Sequence, residues 1–270
     1  MGEETIFELR DGVGLLTLNR PAQRNALSRE MMREDLPGLV ERIGADDDVR
    51  AVVITGAGGA FCAGADVKRM GAASSMSHAE RTENLRAILG WVYDLVDLPK
   101  PVIAAVDGVA YGGGFSLALA ADFILATPRA RFCMVFGRIG LIPDMGAAYL
   151  LPRRIGVARA KELAFTARSI AAEEAQALGI VLALHPPETL LDEALGMARR
   201  LARGSAVALR EAKRLLNASP DSDRAAMVEA ELQAQSACRQ TAFHEEAVRR
   251  FAAKEPPLYD WDAMDRGGAA

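Results

Sequence analysis

Two glycine-rich junctions constrain this chain more than any other feature. Gly56-Ala-Gly-Gly-Ala-Phe-Cys-Ala-Gly-Ala-Asp66 follows the β-rich run 50–55 (RAVVIT), and Asp107-Gly-Val-Ala-Tyr-Gly-Gly-Gly-Phe-Ser116 follows 101–106 (PVIAAV). Each leaves a strand with almost no side-chain bulk, so other atoms can approach its backbone closely. In the second, Gly112 to Gly114 open the apolar run 115–121, which reads as a short buried helix. The first N–H groups of such a helix have no intrahelical acceptor and lie at the positive end of its dipole. That suits an anion or a developing oxyanion. The first junction offers the same device, with free N–H groups near Ala65 and with Asp66 placed to cap the next segment. A tight turn with close packing explains one such cluster; two of them, each between a strand and a helix, favour a site.

Further strands are read at 14–19 (GLLTLN), 122–126 (DFILA) and 180–184 (IVLAL), all apolar enough to be buried on both faces. Helical spacing runs over 28–43, with Ser28 as N-cap and Pro37 as an interruption, and over 79–98, stopped by Pro99. Beyond about residue 145 the pattern is helical, at 157–166, 171–178, 188–203, 205–217, 222–236 and 242–253. Strands alternating with helices give an α/β fold with a helical C-terminal region. The 270 residues, half of them hydrophobic, suffice for one large domain or one domain with an appendage. The small-residue stretch 71–77 (GAASSMS) reads as a loop that could serve as a lid or as a plain connection.

Composition removes several classes. A net charge of −4 and no long Lys/Arg run disfavour a nucleic-acid binder. Cys62, Cys133 and Cys238 are unpaired in spacing, and only His78, His185 and His244 are present, so neither a disulfide framework nor a metal site is expected. Neither junction matches G-x-x-x-x-G-K-[ST] or completes G-x-G-x-x-G. The acidic start Met-Gly-Glu-Glu-Thr, the absence of a long uncharged apolar run and the ending Gly-Gly-Ala-Ala lead to the expectation of a cytoplasmic protein without a membrane partner. Trp91, Tyr93 and the Leu-rich face 85–98 read as core or subunit contact. Arg153-Arg154 and Arg199-Arg200 read as solvated faces, and Asp46–Asp48 as a loop.

Several motifs together resemble the enoyl-CoA hydratase/isomerase (crotonase) superfamily. They are Asn19-Arg-Pro-Ala-Gln-Arg-Asn-Ala-Leu27, Phe61-Cys-Ala-Gly-Ala-Asp66, residues 101–114, Gly140-Leu-Ile-Pro-Asp144, and the ending Glu246-Ala-Val-Arg-Arg-Phe-Ala-Ala-Lys254 before Pro256-Pro257. The resemblance spans nearly the whole chain in order. It implies a spiral of β-β-α units over residues 1–200 and a helical region over 201–270 that assembles a homotrimer or a dimer of trimers. It implies an oxyanion hole from the N–H groups of Ala65 and Gly113. Arg24, Asn25, Ala26, Leu27, Ala63, Gly64, Ala65, Asp66, Val67, Gly112 and Gly113 would border the coenzyme A, with Phe251 and Lys254 reaching the nucleotide end from a neighbouring subunit. Coenzyme A enters as part of the thioester substrate, and no separate cofactor or metal is implied.

The acid/base groups depart from the hydratases that the chain resembles. Their two carboxylates fall on Ser116 and Phe136 here, and neither side chain can act as a carboxylate base. Asp144 occupies the position where relatives that move a double bond carry an Asp. With Ser116, Met134, Phe136, Leu141 and Pro143 as a substrate pocket, an apolar setting would raise its pKa. The reading is a one-base enoyl-CoA isomerisation by Asp144, with simple capping of the helix near Gly146 as the bland alternative. Hydratase activity and a non-catalytic acyl-CoA binder stay open. A serine hydrolase built on the degenerate elbow Gly114-Phe-Ser-Leu-Ala118 also stays open, although its final glycine is missing.

Overall fold

The protein is described by a computed structural model covering residues 3–66 and 77–264. Val67 and residues 71–76 of the expected loop lie outside the described residues. Six strands form the main sheet: β1 (Thr5–Arg10), β2 (Val13–Leu18), β3 (Ala51–Gly56), β4 (Val102–Val106), β6 (Phe123–Ala126) and β9 (Ala183–Leu184), in the order β1-β2-β3-β4-β6-β9. Only the β1–β2 pairing is antiparallel. A second sheet, β5-β7-β8, is made of β5 (Val109–Tyr111), β7 (Arg131–Cys133) and β8 (Ser169–Ala171).

Both faces of the main sheet are covered, which is why its strands are apolar at consecutive positions. Val13, Leu15, Ala51, Val53, Ile103 and Ala105 face α6 (Leu190–Ala202) through Leu190, Ala194, Leu195, Ala198 and Leu201. The alternate residues Leu16, Leu18, Val52, Ile54, Ala104 and Val106 belong to the larger core. That core also takes in α1 (Leu36–Ala45), α2 (His78–Val96) and α3 (Gly113–Ala120). All eight residues of α3 are buried, as its uniform apolarity requires.

The helix expected over 28–43 forms with a change of winding. Ser28 Oγ accepts the Met31 N–H at 3.1 Å, and Met31–Asp35 is a π-turn ahead of α1. Pro37 has no N–H to donate to Arg33, so the wider winding falls where the normal ladder is interrupted. The strand expected over 180–184 is reduced to Ala183–Leu184, because the Ile180 N–H turns back to the Ala175 carbonyl (2.9 Å).

The remaining helices are α4 (Ala147–Thr166), kinked at Gly156, α5 (Ala172–Ala177), α7 (Ala206–Ala218), α8 (Arg224–Arg239) and α9 (Ala242–Ala253). Ser205, Asp223 and Thr241 cap α7, α8 and α9 with side-chain oxygens. The paired arginines are not uniformly solvated. Arg154 turns inward to the carbonyls of Leu119 and Ala121, and Arg200 lies 3.7 Å over the Trp261 ring. Both correct the solvated-face expectation: carbonyls freed at the end of α3, and the face of an aromatic ring, hold a guanidinium better than water alone does. Trp91 is core, as expected. Among the described residues no helix is long and apolar enough to cross a membrane.

Candidate active site

The loop after β2 forms around Asn25. Arg24 and Asn25 are both left-handed (φ 49° and 56°), a conformation that asparagine tolerates better than most residues. The Asn25 side chain is fully buried and fully used. Its Nδ2 donates to the carbonyls of Ala57 and Ala60 (2.8 and 2.7 Å), and its Oδ1 accepts the Arg20 N–H (2.8 Å). Arg20 in turn donates to the Ala26 carbonyl (2.5 Å) and pairs with Glu4 (2.9 Å) and Asp66 (3.2 Å). The Asp66 carboxylate is thus held by Arg20; the segment that it was expected to cap lies outside the described residues.

This loop runs beside the first junction. The Leu27 N–H donates to Gly64 O (2.8 Å) and the Asp66 N–H to Leu27 O (3.2 Å), a parallel bridge between Leu27 and Ala65. In that pattern the N–H of Ala65 itself points away from Leu27, and no acceptor among the described residues takes it.

Glycines press the two junctions together. The Cys62 N–H donates to Val109 O (2.9 Å) and the Tyr111 N–H to Cys62 O (3.0 Å). A Cβ on Gly114 would lie 2.3 Å from Cys62 O, and one on Gly64 (φ +92°) would lie 2.6 Å from Tyr111 O. Only glycine permits this approach. As a result Gly113, first residue of α3, sits beside Ala65: a Cβ on Gly113 would be 4.0 Å from Ala65 N. Its N–H also has no partner among the described residues, as the first turn of a helix requires. The two free donors expected from the sequence therefore stand side by side at the positive end of a buried helix.

Asp144 arrives from the other direction. Met145 and Gly146 are both left-handed (φ 49° and 80°), turning the chain sharply into α4. The buried Met145 packs over the junction; a Cβ on Gly113 would meet its sulfur at 2.8 Å. Gly146 is itself the N-cap of α4, with no side-chain cap, so the bland reading of Asp144 as a capping residue fails. Only the Asp144 backbone carbonyl serves the turn, accepting the Ala147 N–H (3.0 Å). Its carboxyl has no ion pair among the described residues. Burial pushes it from 3.8 up to about 6, with its own backbone N–H opposing.

The other expected pocket residues divide. Met134 and Phe136 are buried, and Phe136 Cζ lies 3.8 Å from where a Gly112 Cβ would stand. Leu141 is exposed and Pro143 half-buried. Ser116 is fully buried on α3, its hydroxyl within 3.2 Å of Gly112 O and 3.0 Å of Asp144 O. Its hydroxyl is fully buried and bonds to two backbone carbonyls rather than to a histidine, so it lacks the base that a hydrolase nucleophile needs. Arg24 is exposed with its carbonyl on the Ala63 N–H (2.9 Å), and Ala26 and Leu27 are buried. Phe251 and Lys254 are exposed on α9 and its cap, and α9 packs on α8. Cys62 lies between the junctions, but burial pushes its thiol up to about 12, leaving it inert as a nucleophile. The packing of Met145 and the bond from Ser116 to Asp144 had no sequence signal beyond proximity to Gly140-Leu-Ile-Pro-Asp144.

The family model for enoyl-CoA hydratase/isomerase matches residues 8–262. The chain is 37% identical over 265 residues to 1,2-epoxyphenylacetyl-CoA isomerase of Escherichia coli K12, covering 96% of this chain and 99% of that protein. A crystal structure of enoyl-CoA hydratase/isomerase from Cupriavidus metallidurans CH34 superposes with a TM-score of 0.91 at 38% identity, over 100% of this chain and 98% of that one. One of enoyl-CoA hydratase from Bacillus anthracis gives 0.87 at 33% identity, over 95% and 98%. Two glycine-built junctions, the adjacent N–H groups of Ala65 and Gly113, unpartnered among the described residues, and a match across nearly the full length lead to one conclusion: the chain belongs to the enoyl-CoA hydratase/isomerase family.

Proposed function

We propose that the protein isomerises the double bond of an enoyl-CoA thioester, with Asp144 as its single acid/base. The observation that carries this reading is the Asp144 carboxyl, unpaired among the described residues and pushed to about 6 by burial. A carboxylate poised there can both take and return a proton near neutral pH. Asp144 removes a proton from C2 of a 3-enoyl-CoA. The thioester oxygen takes the developing negative charge and is held by the Ala65 and Gly113 N–H groups. Asp144 then returns the proton at C4, giving the conjugated 2-enoyl-CoA. The reaction moves one proton and leaves the formula unchanged, so it requires no redox partner. In this reading Arg24 to Leu27, Ala63 to Val67 and Gly112 border the coenzyme A. The similarity to an Escherichia coli protein named an isomerase supports the same direction.

A second reading is hydration of a 2-enoyl-CoA with Asp144 as the only carboxylate, favoured by the hydratase name of the Bacillus anthracis relative. Paired 3-enoyl-CoA and 2-enoyl-CoA substrates followed by NMR in deuterated buffer separate the two. Conjugation and C2 exchange without a 3-hydroxy product, both abolished in Asp144→Asn while acyl-CoA binding persists, is the expected result. A 3-hydroxyacyl product, or exchange retained in the variant, overturns the isomerase reading.

The region 201–270 serves self-association in this proposal, as a homotrimer or a dimer of trimers. Leu216 on α7, Leu232 on α8, and Val248 and Phe251 on α9 are 52–87% exposed, an apolar series that a lone chain leaves in water. A cytoplasmic location completes the reading.

A further inference from the structure

We infer that Ser116 is a positioning residue that locks the base Asp144 to the helix that supplies the oxyanion donor; this rests on Asp144 acting as the base. Ser116 Oγ lies 3.0 Å from the Asp144 carbonyl and 3.2 Å from the Gly112 carbonyl, and its single proton is shared between these two acceptors. The Gly112 carbonyl also takes the Ser116 N–H (3.0 Å), the first hydrogen bond of α3. The Asp144 carbonyl also takes the Ala147 N–H (3.0 Å), which closes the turn into α4. One hydroxyl therefore joins the first turn of α3, where Gly113 presents its N–H, to the turn that presents the Asp144 carboxyl. Ser116 itself is fully buried and its bond to Gly112 is buried, while the bond to Asp144 is part-buried, so the hydroxyl holds the turn from the protein side of the site.

The rest of the Asp144 turn is held by packing. Met145 sulfur lies against Gly113, which Leu27 also abuts, while Val92, Tyr93 and Leu150 surround Gly146. Tyr93 is the one ionisable side chain among these neighbours; among the described residues no charged group acts on the Asp144 carboxyl, which burial pushes up against the opposing bond from its own backbone N–H. A methionine in a left-handed turn is an adaptable anchor. Ser116 adds a directional bond, and it fixes distance between base and oxyanion donors, where a misplacement of about 1 Å costs on the order of 100-fold in rate.

The test compares wild type, Ser116→Ala and Ser116→Thr in the proton-exchange assay and in a titration of the Asp144 carboxyl by 13C NMR. Ser116→Ala is expected to lower kcat by roughly 10- to 100-fold with KM within about threefold. Its carboxyl should titrate lower, toward an ordinary aspartate, as the turn loosens and water reaches it. Ser116→Thr, which keeps the hydroxyl, should restore both. Unchanged kcat and titration in Ser116→Ala overturn the inference. So does a loss of binding and rate together that tracks lowered thermal stability, because that marks a merely structural serine. If wild type shows no proton exchange, the isomerase reading fails by itself, and the carboxyl titration still decides whether Ser116 holds Asp144.

Discussion

Replacing Asp144 by asparagine should make the protein more stable, and more so as pH rises. The carboxyl titrates near 6 in the folded chain against an ordinary 3.8. A shift of that size corresponds to about 3 kcal/mol favouring the protonated form in the fold. The sign comes from proton counting. Between pH 3.8 and 6 the folded state keeps a proton that the unfolded state has lost, so stability falls as pH rises through that window. Above it the full penalty remains. An amide is about as polar as the neutral acid and never ionises, so Asp144→Asn removes the charge and little else. Its gain over wild type is expected to be about half of the full value at pH 5 and nearly all of it at pH 8. The figure of about 3 kcal/mol is an upper bound, because solvent screens the part of the carboxyl that it reaches. Urea unfolding of both proteins at pH 5 and pH 8, at one protein concentration to hold any assembly constant, reads the difference. Equal gains at the two pH values, or a loss at pH 8, would refute burial as the origin of the shift. With the gain rising with pH as expected, and with Asp144 as the base proposed above, the variant is more stable and inactive, the usual relation where a charge is buried for chemistry.

Two further perturbations address the scaffold and the assembly. Gly64→Ala puts a Cβ 2.6 Å from Tyr111 O at a φ of +92°, both strained and clashing. It should destabilise the protein by about 3 kcal/mol or more and abolish acyl-CoA binding, read by chemical denaturation and calorimetry; near-wild-type stability would show that the junctions are not pressed together. Sedimentation velocity should give a trimer or hexamer for wild type and smaller species for Phe251→Asp, whereas a wild-type monomer at micromolar concentration would remove the role given to α7–α9.

Asn25 shows how sequence and structure divide the information. Its motif was legible, and its place beside the first junction came with it. What the residue does there was not legible: its side chain is spent on Arg20, Ala57 and Ala60, while the backbone of that loop, through Arg24 and Leu27, bonds to the first junction. The short strands β5, β7 and β8 were likewise unreadable, since three residues carry no period and their pairing is set by partners 20 or more positions away. Arg154 looked like surface because charge predicts solvation on average, while the carbonyls at the end of α3 that hold it become neighbours only on folding.

The sequence by itself determined the α/β alternation, the buried helix α3, the helices after residue 145 and the two glycine junctions. Each is a local matter of hydrophobic period or backbone freedom, and such signals are written in consecutive residues. Only the tertiary structure decided that Ala65 and Gly113 stand side by side, that Met145 packs against Gly113, and that Ser116 reaches the Asp144 carbonyl. It also decided that the Asp144 carboxyl is left without an ion pair among the described residues and pushed upward. Those facts depend on distance and desolvation among segments separated by 28 to about 80 residues, and no local pattern encodes them.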